Sequence, residues 1–320
     1  MLASSVLAPG VMLEDAACPM GCARDDEPVI SGVDRISGVG GTFQIVRCRR
    51  CRLARTNPRP TPETIGRYYP DEYAPYQYTK AVAAANPRRS IVRRVARQLI
   101  DFNSDHLPPA GRGHALEIGC ASGAYLAHLA SLGWSVEGVE LNEAAAAATA
   151  ARGFRVQTSS VERMTPPLSP PSLLVAWMVL EHLHDPVGAL RRLREWSAES
   201  AWLVASVPNF ATVGAAAFTH EWYPLQLPAH LYHYDKDTLA GLLAKGGWRL
   251  ERVFYHRTLA DFAASVGNWV ETRGQGALAE RLRATAKKRA FHVAMYPLAA
   301  GVAALGQTGR MTIWATRDRT

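Results

Sequence analysis

The chain has 320 residues, of which 48% are hydrophobic and 20% charged, with 25 glycines and 20 prolines. That balance excludes a collagen-like, disordered or disulfide-stapled chain and allows about two domains with a full core. The net charge of +8 rests on thirty-one arginines against five lysines. Beside alanine runs such as 144–148, that ratio reads as coding bias as much as a nucleic-acid surface.

Residues 1–17 show no signal-peptide pattern. Cys18 and Cys22, then Cys48 and Cys51, form two close pairs, and Cys120 stands alone. An odd count with paired spacing argues for a metal cluster in a reducing, cytoplasmic compartment rather than a disulfide framework. Four thiolates suit tetrahedral Zn2+ with no open position, a structural role. The arginines flanking Cys48 and Cys51 are expected to lower the thiol pKa values and offset thiolate charge. This module is assigned to residues 1–56. A linker over 57–112 follows, with Asn57-Pro58-Arg59-Pro60, then Tyr68, Tyr69, Tyr73, Tyr76 and Tyr78, then a basic helix over 87–100. The tyrosines could line an acceptor pocket or simply pack.

From residue 113 to 320, short apolar runs alternate with helical patterns, as in a mostly parallel sheet. Strands are predicted at 115–118, 135–139, 154–157, 173–177, 202–207, 249–254 and 311–315. Helices are predicted at 125–132, 143–151, 187–196 and 236–245, the last capped by Asp235 and ended by Gly246 and Gly247. The fold class is therefore α/β, with a seven-stranded, mostly parallel, Rossmann-like sheet carrying helices on both faces, plus the small four-cysteine module. An insert at 257–310 pairs an amphipathic basic segment with an apolar one. It could cover the substrate side, or its 278–305 part could touch a membrane surface.

The segment Glu117-Ile-Gly-Cys-Ala-Ser-Gly123 joins the first of these strands to a helix, and Glu140 ends the next strand. A small-residue loop followed by a ribose-binding acid fits either NAD or S-adenosylmethionine. The loop departs from G-x-G-x-x-G, and the acid before it would repel a pyrophosphate but suit a cationic sulfonium ligand.

On these residues, 114–256 resembles a class I S-adenosylmethionine-dependent methyltransferase of the ubiquinone/menaquinone-biosynthesis-like group. Glu117 to Gly123 is similar to its first motif, with Ala121 at the middle glycine. Ser160-Val161, the segment from Trp177 to Pro186, Ser206-Val-Pro-Asn209 and Pro228-Ala-His-Leu-Tyr-His-Tyr234 resemble later ones. The resemblance implies cofactor contacts from Glu117, Gly119, Cys120, Ala121, Gly123, Glu140, Leu141, Ser160, Val161 and Met178. Residues 48–76 also resemble the zinc-ribbon-like module, Asn-Pro-Arg-Pro segment and tyrosine stretch of relatives that modify sugars, glycans or secondary metabolites.

Methyl transfer is largely positioning, and a hydroxyl acceptor gains from a general base. The candidates are His182, His184, His230 and His233, with His230 expected first and His182 second. Tyr234 or Glu181 could orient a base. The expected acceptor is a small-molecule or lipid-linked hydroxyl. C-methylation of a nucleotide-linked keto-sugar or a quinone-like ring is the alternative within catalysis. A nucleic-acid-binding protein or a non-catalytic scaffold is the alternative outside it.

Overall fold

The computed structural model describes residues 6–69 and 107–318. Tyr73, Tyr76, Tyr78 and the expected basic helix lie outside them.

The cysteine pairs are joined by two strands, β2 (Asp26–Val33) and β3 (Thr42–Cys48), which pair antiparallel. β4 (Ala54–Thr56) continues this sheet, and β1 (Leu13–Glu14) pairs with β5 (Arg59–Pro60). The β1–β5 pair thus spans the position where the module was expected to end. Arg55, 2% exposed, holds the base of the module together. Its guanidinium donates to both carboxylate oxygens of Asp26 at 2.9 and 2.7 Å and to the Ala16 carbonyl at 3.2 Å.

The larger sheet is built from β6 (His114–Ile118), β7 (Ser135–Glu140), β8 (Arg155–Thr158), β9 (Leu173–Trp177) and β10 (Trp202–Pro208), all parallel. The two-residue β11 (Tyr232–His233) leaves it to join β4. β12 (Trp248–Tyr255) and β13 (Arg310–Arg317) complete it, β13 running antiparallel between β12 and β10. The order is β12-β13-β10-β9-β6-β7-β8. Every strand expected in this sheet forms, within two residues of its expected ends. Alternate residues of β9 enter opposite cores: Leu174 and Ala176 on one face, Leu173 and Val175 on the other. That is why Leu-Leu-Val-Ala-Trp is a continuous apolar run.

Helices α1 (Ala124–Ser131), α2 (Glu143–Ala150), α3 (Pro186–Trp196), α4 (Val213–Phe218) and α5 (Lys236–Lys245) cover the two faces. Asp235 caps α5 through a reciprocal pair with Thr238, and Asp185 caps α3 by accepting the Gly188 amide. The insert forms α6 (Ala260–Glu271), α7 (Gly276–Ala286) and α8 (Arg289–Ala304). α6 and α7 are joined by the Arg283–Glu271 ion pair at 3.0 Å. Asn268 and Ser265 of α6 bond the Glu221 carbonyl and the Tyr223 amide, closing the insert over the 219–225 turns.

Candidate active site and thiol cluster

A cleft of about 630 Å³ opens at the carboxyl ends of β6, β7 and β9, where ligands of open α/β sheets bind. Gly119, Ala121, Glu140, Leu141, Ser160, Val161, Met178 and His182 line it. Glu117, Cys120, Gly123 and His230 do not. Glu117 is buried beneath the loop, with Oε2 lacking any partner. Burial pushes its carboxyl well above the usual carboxylate range, and the Glu140 charge adds to the rise. A cation against the loop would relieve both effects. Cys120 packs away from the cleft: a Cβ on Gly138 would come within 2.6 Å of its sulfur. Burial raises its thiol pKa, so it is a neutral packing group. Gly123 caps α1 at φ 65°.

Glu140, 4% exposed, accepts the Ala121 amide on one carboxylate oxygen and the Asn142 amide on the other, both at 2.8 Å. Each oxygen retains a lone pair for a ribose hydroxyl. Two non-glycine residues at the cleft have left-handed backbone, Ala121 at φ 42° and Met178 at φ 56°. Such conformations cluster where a ligand is held.

Pro62, Ile65, Tyr69, Trp177 and His184 also line the cleft. The first three bring one wall from the N-terminal part of the chain. Of the 57–112 tyrosines, Tyr68 and Tyr69 are among the described residues, and Tyr69 lines the cleft while Tyr68 does not. Tyr68 is buried against Phe43 and donates to the Gly40 carbonyl at 3.1 Å. No local pattern separates these adjacent residues.

The histidines sort by environment. His182 is on the cleft wall, with Nδ1 2.9 Å from the Ala229 carbonyl and 2.9 Å from the Tyr69 hydroxyl. A carbonyl oxygen only accepts, so Nδ1 carries the proton and Nε2 keeps its lone pair. His230 is 1% exposed and stands edge-on behind His182, ring centroids 4.7 Å apart. Its Nδ1 donates to the Pro224 carbonyl at 2.9 Å. Burial holds both imidazoles neutral, His182 pushed down to about 4 and His230 well below its ordinary value. His184 is bound to the Pro60 carbonyl at 3.0 Å. His233 lies on β11, 3.1 Å from the Thr56 hydroxyl, and that hydroxyl donates to the His230 carbonyl at 2.7 Å.

At the N-terminal end, the sulfurs of Cys18, Cys22, Cys48 and Cys51 all lie within 4.8 Å of one another, and those of Cys18 and Cys51 are 3.5 Å apart. Thiolates around tetrahedral zinc, with Zn–S of about 2.3 Å, would be about 3.8 Å apart. The donor set and its spacing therefore fit zinc. The expected electrostatic role of the arginines does not hold. Arg49, Arg50 and Arg52 pair with Asp25 and Glu27 at 3.3–4.0 Å, so their charge is taken up by carboxylates.

A parallel sheet with one reversed strand beside its edge, a small-residue loop and a buried acid at the end of the second parallel strand together define a Rossmann-like methyltransferase. The chain belongs to the family of the methyltransferase domain, whose model matches residues 88–253. No curated protein matches the sequence. Among solved structures, an S-adenosylmethionine-dependent methyltransferase from Mesorhizobium loti is similar, with 15% identity and TM-score 0.45 over 74% of this chain and 100% of that one. An S-adenosylmethionine-dependent methyltransferase from Listeria monocytogenes, described as putative, shares 14% identity, with TM-score 0.43 over 71% and 97%. The [4+2]-cyclase SpnF shares 15% identity, with TM-score 0.48 over 81% and 97%. The protein is a methyltransferase, and its cleft fits S-adenosylmethionine as donor.

Proposed function

We propose that the protein methylates a hydroxyl of a small-molecule or lipid-linked acceptor, of the sugar, glycan or secondary-metabolite class. The observation that carries this reading is His182, whose neutral ring stands on the cleft wall with Nε2 uncommitted. When bound, S-adenosylmethionine supplies a methyl carbon made electrophilic by its sulfonium, and its sulfur keeps the electron pair of the broken bond. Gly119 and Ala121 would let the backbone approach this cofactor, Glu140 would hold its ribose, and Glu117 lies beneath the loop, where a cationic ligand would favour its ionised form. His182 takes the acceptor's proton. Tyr69 and the Ala229 carbonyl fix the ring's orientation. His230, held behind it, is a support for that ring rather than the group nearest the cleft.

We also infer that the four thiolates hold one structural Zn2+, which would brace the loop from Cys48 to Cys51 at the root of β4. The lipid-linked form of the acceptor is favoured by α8. There, exposed Val293, Leu298 and Leu305 follow Lys287, Lys288 and Arg289. Among the described residues, no helix is long and apolar enough to cross a membrane.

The test is transfer of labelled methyl from S-adenosylmethionine into extracted small metabolites, glycolipids and RNA. Label on an oxygen of a metabolite or glycolipid, lost in His182→Gln, is the expected result. Label in RNA, label on carbon, or no cofactor binding by calorimetry overturns the reading.

A further inference from the structure

Behind the cleft wall, the turn formed by Leu180–His182 buries the carboxyl group of Glu181. Glu181 is fully buried, and neither of its carboxylate oxygens has a hydrogen-bond partner. Buried polar atoms are nearly always paired, so two orphans on one group call for an explanation. The donor atoms of Glu181, His182 and His230 lie within 4.8 Å of one another. Both rings are anchored through Nδ1 to backbone carbonyls, which leaves each Nε2 with its lone pair.

We propose that Glu181, His182 and His230 act as one proton-accepting unit, in which Glu181 is the positioning residue that balances the charge His182 acquires. This rests on the reading of His182 as the base. The proton leaves the acceptor oxygen as that oxygen gains its methyl carbon, and it passes to Nε2 of His182. The imidazolium so formed has one positive charge, and an ionised Glu181 offsets it with one negative charge. Without that partner, the buried imidazolium would be strongly disfavoured.

Glu181 is surrounded by few ionisable groups. His182 is in its own turn. His230, Tyr232, His233 and Tyr234 come from the segment around β11, and Arg310 from the start of β13. Arg310 is the cation that acts on Glu181, and it also acts on His230. A metal ion in the same space would meet that cation, which favours a proton over a metal as the acid's companion. Burial pushes the Glu181 carboxyl up to about 8, so it is protonated near neutrality and ionised above that. The unit then becomes a stronger base as the pH rises through 8.

Two measurements on the full chain test this. Infrared difference spectra should show the C=O stretch of a protonated buried carboxyl at pH 6, lost with a midpoint near 8 and absent in Glu181→Gln. Labelled methyl transfer into the extract fraction that the wild type modifies should rise about tenfold from pH 6.5 to 9. Glu181→Gln should flatten that rise and lower kcat about tenfold at pH 9, with KM for S-adenosylmethionine within about twofold. Glu181→Asp should restore the pH-dependent rise. A missing carboxyl band, or a Glu181→Gln enzyme with the wild-type pH profile, overturns the proposal. A His182→Gln enzyme with wild-type activity overturns the base reading instead, and the infrared result stands apart from it.

Discussion

Gly119→Ala isolates what the cofactor loop requires of its backbone. Gly119 has φ 70°, and a Cβ there would lie 2.8 Å from Cγ2 of Val179. The left-handed conformation costs an L-residue roughly 1–2 kcal/mol. Overpacking a branched side chain adds roughly 1–3 kcal/mol. A loss of about 2–5 kcal/mol in unfolding free energy is therefore expected. Val179→Ala in the same chain removes the contact but not the backbone cost. The double variant should recover about 1–3 kcal/mol relative to additivity. Urea unfolding at an unchanged m-value measures both terms. Calorimetry with S-adenosylmethionine should show Kd raised about tenfold, since both residues line the cleft. A Gly119→Ala protein within about 0.5 kcal/mol of wild type would refute the steric reasoning. So would a double variant that recovers nothing.

Three further outcomes are expected. Burial pushes His182 down to about 4, and His233 and the buried His256, just past β12 with Nε2 2.7 Å from the Thr312 hydroxyl, to about 3. The unfolded chain binds these protons near pH 6.5 and the folded chain does not. The stability these groups contribute is therefore complete above pH 6.5 and lost as the pH falls toward 3–4. A urea midpoint that stays flat from pH 7 to 5 would contradict this. Elemental analysis should find about one zinc per chain; Cys48→Ser with Cys51→Ser should remove it and reduce methyl transfer about tenfold, and a metal-free wild type would reject the site. Glu140→Ala should weaken S-adenosylmethionine binding at least tenfold by calorimetry. It should also cost about 1–3 kcal/mol in urea unfolding, because the Ala121 and Asn142 amides lose their acceptor.

The parallel sheet was legible because its signals are local. The 173–177 run matches β9 residue for residue, being apolar on both faces and preceded by prolines. α5 was readable from Asp235 at one end and Gly246 at the other. Of the site, the loop and Glu140 were visible because chemistry and spacing coincide within one βαβ unit. What escaped was set by contacts across the chain. β11 is two residues long, and only its pairing with β4, some 177 positions away, makes it a strand. Tyr69 and Tyr68 are indistinguishable until the fold turns one toward His182 and the other toward Phe43. The order of the histidines depended on depth, and a sequence does not show that His230 stands behind His182. The arginines near Cys48 looked like counterions for sulfur, but acidic partners on β2 and just before it claim them.

The clasp between β4 and β11 changes where the working unit ends. The Thr56 amide donates to the Leu231 carbonyl at 2.9 Å, and the Thr56 hydroxyl to the carbonyl of His230. The span matched by the family, 88–253, contains one half of this clasp and not the other. A fragment cut to that span would keep its nucleotide cradle but leave the segment 228–233 as a bare strand edge with unsatisfied carbonyls. Grafting, truncating or shuffling this enzyme at the borders of its Rossmann-like unit should therefore separate cofactor binding from turnover. The smallest portable catalyst should be the larger piece that carries the cysteine knuckle with it.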